Sequence, residues 1–180
     1  MTGMASLTLQ DLTEELAHAQ AWSMALAKPL TAEQIAWRPD QNSSAIGWHL
    51  GHQGVVAHFM MRNLTAAEAS FNPAFDALFD SATPEPARGD LPALDEIGEY
   101  RMQIAASITS VIERIATGAV GAPAQLAVIA DGLMYAVINH EYQHAKWVGE
   151  VRSSMIGQPL PKPESDRLSS VDGYWMLARG

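Results

Sequence analysis

Six histidines occur in the 180-residue chain, and four of them fall in two short clusters, WHLGH at 48–52 and HEYQH at 140–144. His140 and His144 are four residues apart, so on a helix they stand one above the other on a single face. Leu133, Val137 and Val151 continue that face toward a core. Imidazoles in an apolar stripe need hydrogen-bond partners or a metal, because an unsatisfied buried polar ring costs about 1–3 kcal/mol. The other cluster independently sets His49 and His52 among apolar neighbours, and helical bundles build metal sites from side chains on facing helices. Nearby carboxylates or carbonyls that satisfy each histidine separately are the competing reading, and spacing alone does not separate the two.

HEYQH also fits the H-E-x-x-H pattern, in which two histidines bind zinc and the intervening glutamate, here Glu141, is the general base of a peptidase. The fit is incomplete. No third histidine follows at the metzincin spacing, and Glu150 lies six residues beyond His144, off the shared face. Glu141 reads more simply as a flank or a support for the ligands.

The chain has no cysteine, which excludes disulfides, iron–sulfur ligation and a thiol nucleophile, so nitrogen and oxygen must hold any ion. Eleven basic against twenty acidic side chains give a net charge of -9. Without a Lys/Arg cluster that charge argues against nucleic acid as a partner. No basic segment leads into an apolar run at the N-terminus, and no window of eighteen apolar residues occurs elsewhere. No membrane partner is expected, and the expected location is cytoplasmic.

The elements that must position the histidines follow from periodicity. Leu9, Leu12, Leu16, Ala19 and Leu26 predict a helix over about 8–28, with Thr8 as its N-cap and Pro29 as its end. After a connection with at most one helical turn, a helix over about 44–63 carries Ile46, Leu50, Gln53 and Ala57 on one stripe. His49, His52, Val56 and Phe59 lie on a neighbouring stripe, and both are expected to face protein. A long Pro-rich loop follows, with Phe71, Phe75, Leu78 and Phe79 placed to pin it across the bundle. Ile97, Ile104, Ile108, Val111 and Ile115 predict a helix over 93–117, and another runs over 125–156 until Gly157 and Pro159 stop it.

The fold class expected is therefore all-α, a four-helix bundle with long crossover connections. A composition of 48% hydrophobic and 17% charged residues suits one domain over 1–180, with a bundle at about 8–157 and a tail at 158–180. The tail ends in Tyr174, Trp175, Met176 and Leu177, an apolar terminus that must pack on its own domain or on a partner. With further apolar groups outside the bundle stripes, this leads to the expectation of a homodimer.

SSAIGWHLGHQGVVAHF in the second long helix, NHEYQHAKWVGEV in the last, and the spacing between them resemble the DinB-like superfamily of four-helix metalloenzymes. Within it they resemble the branch that supplies the N-terminal domain of the iron-dependent sulfoxide synthases of ergothioneine biosynthesis. The resemblance covers about residues 8–157. It implies a metal triad of one histidine from the earlier helix, the one in the GH pair, and two from the later helix. By position these are His52, His140 and His144. His49, one turn earlier, then becomes a pocket residue or a support behind the ligands, whereas His58 and His18 are structural or solvent-facing. The sulfoxide synthases carry a large additional domain that this chain lacks, so their complete reaction is not expected of it alone.

Three imidazoles leave coordination positions open, the arrangement of a catalytic rather than a closed structural site. The function expected is a metal-dependent hydrolase or transferase acting on a small molecule, by hydrolysis or thiol-linked transfer, with zinc, iron or nickel as the ion. Glu141, His49 and Tyr142 are the catalytic candidates, and Trp48, Trp147 and Tyr174 are the aromatic ones. The alternatives are a non-enzymatic metal-binding or stress-response scaffold and, less favoured, the zinc peptidase.

Overall fold

The Thr8 hydroxyl accepts a hydrogen bond from the Asp11 backbone N–H, and the Asp11 carboxylate accepts one from the Thr8 N–H at 2.8 Å. This reciprocal cap starts helix α1, Leu9–Ala27. The computed structural model describes residues 6–66 and 68–179. Thr31 caps α2, Ala32–Ala36, the single short turn that the connection allows. Next comes α3, Ile46–Met61, with Ala45 rather than a serine at its N-cap and therefore no side-chain cap. Leu94–Ala116 forms α5, and Pro123–Ile156 forms α6, which ends at Gly157 in the left-handed conformation. All four long helices lie where apolar periodicity predicts them.

The long connection after α3 is more ordered than its prolines suggest. The Asn72 side chain accepts from the N–H groups of Ala74 and Phe75, Pro73 occupies the first turn, and α4 runs over Pro73–Leu78. Phe79, just beyond it, is fully buried. A 3-10 turn spans Glu85–Ala87. The aromatic residues of this segment do pin it, through edge-to-face contacts of Phe75 with Phe79 and with Tyr100, although Phe71 stays largely exposed.

The core is built where α1 and α3 pack on α6, with α5 closing the bundle. Leu12, Leu16, Ile104, Ile108, Met134 and Ile138 lie in one half, and Ile46, Leu50, Ile97 and Val148 in the other. The α3 stripe carrying the histidines is buried at His49 and His52 but opens at its end, where Phe59 is 66% exposed. That position corrects the expectation that the whole stripe faces protein: the end of α3 is still packed through Ala57, His58 and Met61, and the side of the helix that carries Phe59 turns outward.

The tail forms a hairpin, β1 Leu168–Val171 and β2 Tyr174–Leu177, paired antiparallel with Leu168 opposite Leu177. Its turn uses Asp172 and Gly173, both at positive φ. The Asn139 side chain on α6 donates to the Leu177 carbonyl and accepts from the Leu177 N–H at 2.7 Å, and Leu177 is buried. The apolar terminus thus packs on its own bundle, which removes one of the two grounds for expecting a dimer. Among the described residues no helix is long and apolar enough to cross a membrane.

Candidate metal centre

One turn of α6 separates His140 from His144, and α3 crosses opposite them with His52. The three rings converge. Their centroids stand 4.4 Å apart for His140 and His144, 4.7 Å for His52 and His144, and 5.3 Å for His52 and His140. Each offers one nitrogen, and these atoms lie within 4.8 Å of one another.

For His52 the environment fixes which nitrogen the ring presents. His52 Nδ1–H donates to the Phe79 carbonyl at 2.7 Å, which leaves Nε2 with its lone pair free. The Trp48 indole stacks on His52 at 4.6 Å and donates its own N–H to the Leu78 carbonyl. Arg88, bonded to Glu85 and Ser44, packs over the same indole at 3.8 Å. His52 on α3 is thus oriented by the segment that begins with α4. A Cβ at Gly51 would overlap the Phe79 ring. Gly51→Ala is therefore expected to displace Phe79 and cost about 1–3 kcal/mol by overpacking, read as a lower denaturation midpoint with weaker metal binding.

His144 Nδ1 lies 2.9 Å from His49 Nδ1, so one of the two must donate. When His144 presents Nε2 to the common point, its Nδ1–H donates and His49 accepts. Burial, followed by the charges of His52 and Arg88, pushes His49 down to about 3, so at neutral pH it is the uncharged acceptor that this bond requires. His49 accordingly stands behind His144 and orients its ring.

Burial also lowers the three converging histidines. His140 is pushed to about 4 by burial and then by His52, and His144 lower still by burial, His140 and His49. Burial lowers His52 too, against the opposing pull of the Phe79 carbonyl. The result is three neutral imidazoles with free lone pairs, a donor set that fits a borderline divalent ion such as zinc, iron or nickel. In the metal-free protein these groups take up protons more readily unfolded than folded. Stability is thus expected to fall as pH drops from about 6.5 toward about 4, the value to which His140 is pushed. Urea midpoints that stay flat across that window would contradict this.

The triad lies in the floor of a cleft of about 710 Å³ walled by Trp48 and Trp147, with Ser43, Ser44 and Gln143 among its polar lining. His49 lines the cleft as well; Glu141 and Tyr142 are not among its lining residues. Glu141 turns into the bundle and is completely buried. Both of its oxygens accept from Arg101 at 3.1 Å, and Ser23 donates to one of them at 3.2 Å. Gln53 ties this pair to α3, donating to the Glu141 backbone carbonyl at 2.8 Å and accepting from Arg101 at 3.1 Å. Tyr142 packs against Trp22, and Tyr174 against Lys146. His58 is buried in a stack on Phe71, and His18 is exposed; neither joins the triad.

Sequence reasoning missed Phe79 as the carbonyl that orients His52, and Arg101 as the partner of Glu141. Arg101 on the core stripe of α5, between Ile97 and Ile104, was the available signal, since a buried arginine requires a buried partner.

Histidines from two facing helices that converge beneath a cleft give a helical bundle a donor set that could hold a metal ion. The chain belongs to the DinB superfamily, whose model matches residues 9–148 and so takes in both histidine-bearing stretches. No curated protein matches it.

Proposed function

We propose that this protein is a metal-dependent enzyme acting on a small molecule, by hydrolysis or by transfer to or from a thiol. The observation that carries the reading is the cleft above the triad. Its volume of about 710 Å³ is that of a small-molecule site, and the imidazoles are part of its lining. His52, His140 and His144 would hold the ion, which when bound lowers the pKa of a water or thiol and so supplies a nucleophile at neutral pH. The chain's own residues do the rest. The Phe79 carbonyl and His49 orient two of the ligands. Trp48 and Trp147 supply apolar walls that exclude bulk water from a bound substrate, and Gln143 and the serines offer it hydrogen bonds.

Glu141 is not proposed as a general base. Its carboxylate is committed to Arg101 and Ser23, away from the cleft, which argues against the peptidase reading. Kinship with the sulfoxide-synthase branch remains a proposal that iron in the isolated protein would support, whereas zinc would favour hydrolysis or thiol transfer.

The competing class is a scaffold that binds an ion without turnover. Elemental analysis of protein purified without added metal, followed by titration of the loaded protein with a small thiol, tests between them. Retention of about one ion per chain and thiol binding that requires it support the enzyme. A loaded protein that binds no small molecule at the cleft supports the scaffold.

A further inference from the structure

His52, Val55, Val56 and Phe59 fall on one stripe of α3, at helical spacing from the first. The metal-dependent reading uses only His52. Val55 and Val56 are half-buried and Phe59 is exposed, so beyond the histidine the stripe presents apolar side chains outward. A groove of about 440 Å³ runs along it, and its opposite bank is the end of α4 with Asp80 and Ser81.

The groove begins where the histidine cleft ends. His52 and Ser81 line both spaces. Ser81 is exposed, so the junction is open at the surface, and a chain leaving the cleft crosses there. The α3 bank from His52 to Arg62 is roughly 15 Å long at the rise of a helix.

The charges of the lining are engaged elsewhere, which leaves the apolar stripe as the surface to be covered. Arg62 pairs with Asp76 at 3.6 Å and lies 5.9 Å from the centre of the Phe59 ring. Asp76 also accepts from the Tyr100 hydroxyl at 2.9 Å, and Asp80 accepts from the Ala82 N–H at 2.9 Å. An uncharged chain that buries Val55, Val56 and Phe59 gains their apolar contact without breaking any of these bonds.

We propose that the groove is a tail subsite of the cleft: the small molecule that sets its polar head at the histidines carries an uncharged alkyl or acyl chain, which passes Ser81 and lies along α3 to Phe59. The placement of the head rests on the metal-dependent reading; the apolar character of the groove does not.

Two chelating probes that differ only in chain length test this on the full-length, zinc-loaded protein with carbon-13-labelled valine methyl groups. Acetohydroxamate has the metal-binding head alone, and octanohydroxamate adds the chain. The readout is affinity together with the Val56 methyl resonances, assigned by their loss in Val56→Ala. A buried CH2 is worth about fourfold in affinity, so octanohydroxamate is expected to bind at least about 50-fold more tightly even when its chain is half-buried, and to shift the Val56 methyls where acetohydroxamate does not. Phe59→Ser, at an exposed position where folding is not at risk, should shrink that advantage about tenfold. Equal affinity of the two probes overturns the proposal. So does a gain that leaves the Val56 methyls unshifted and ignores Phe59→Ser, since the chain then lies within the histidine cleft itself. Failure of the metal reading shows separately, as acetohydroxamate that binds zinc-loaded and metal-free protein alike. The groove is then tested by 1-octanol, which has no chelating head: it should shift the Val56 methyls saturably in metal-free protein, and the absence of that shift overturns the groove as an apolar site.

Discussion

Alanine in place of any one of His52, His140 or His144 is expected to lower metal affinity by more than about 100-fold, because loss of a mere outer partner of a ligand already costs 10–100-fold. The geometry makes the three equivalent in this respect: each contributes one nitrogen to a cluster spanning at most 4.8 Å, and the other two alone are a weak chelate. His49→Ala is the graded case. It removes the acceptor of the His144 Nδ1–H, so affinity should fall by about 10–100-fold without occupancy being abolished. His58→Ala should leave metal binding unchanged, since that ring stacks on Phe71 outside the triad. Competition titration with a chelator of known affinity ranks the five proteins. A His58 variant as impaired as His140→Ala, or a His52 variant that binds normally, would sink the assignment of the ligands.

The contrast between His49 and His52 shows where the sequence was informative and where it stopped. Both histidines sit in WHLGH, both are buried, and helical spacing puts them on neighbouring stripes. Periodicity sufficed to place α3 and α6, and the four-residue spacing sufficed to put His140 and His144 on one face. That His52 rather than His49 joins His140 and His144 is implied by the family resemblance and not by spacing, because the orientation of His52 is set by Phe79, 27 residues later in the chain. Phe79 follows a six-residue helix inside a Pro-rich stretch, too short for any periodic signal. The tail hairpin has a strong local turn signal in Asp172–Gly173, but its two strands of four residues each are too short for alternation to stand out beside the helical periodicity. The depth of Glu141 was not legible from its own neighbours, since HEYQH offers it equally to a metal cleft or to the bundle interior. Its direction is decided by Arg101, on a different helix.

That ion pair sets the second large effect. Glu141→Ala is expected to destabilise the fold by about 3–5 kcal/mol, because Arg101 would be left charged and unpaired in the core. Arg101 is itself 3% exposed and, among the described residues, otherwise reaches only Gln53 and the Leu50 carbonyl. Arg101→Ala should cost a similar amount for the mirror-image reason. Replacing both at once, Arg101→Met with Glu141→Leu, removes both charges while filling the space, and should recover most of the loss. Equilibrium urea unfolding of the three variants measures this directly. The same series separates structure from chemistry at HEYQH. A general base lost in Glu141→Gln would abolish turnover while stability barely changed, whereas a buried partner of Arg101 should be felt chiefly in the unfolding midpoint. Stability loss in Glu141→Ala below about 1 kcal/mol, the range of an exposed ion pair, would mean that the carboxylate is not held in the core and would reopen its role beside the metal.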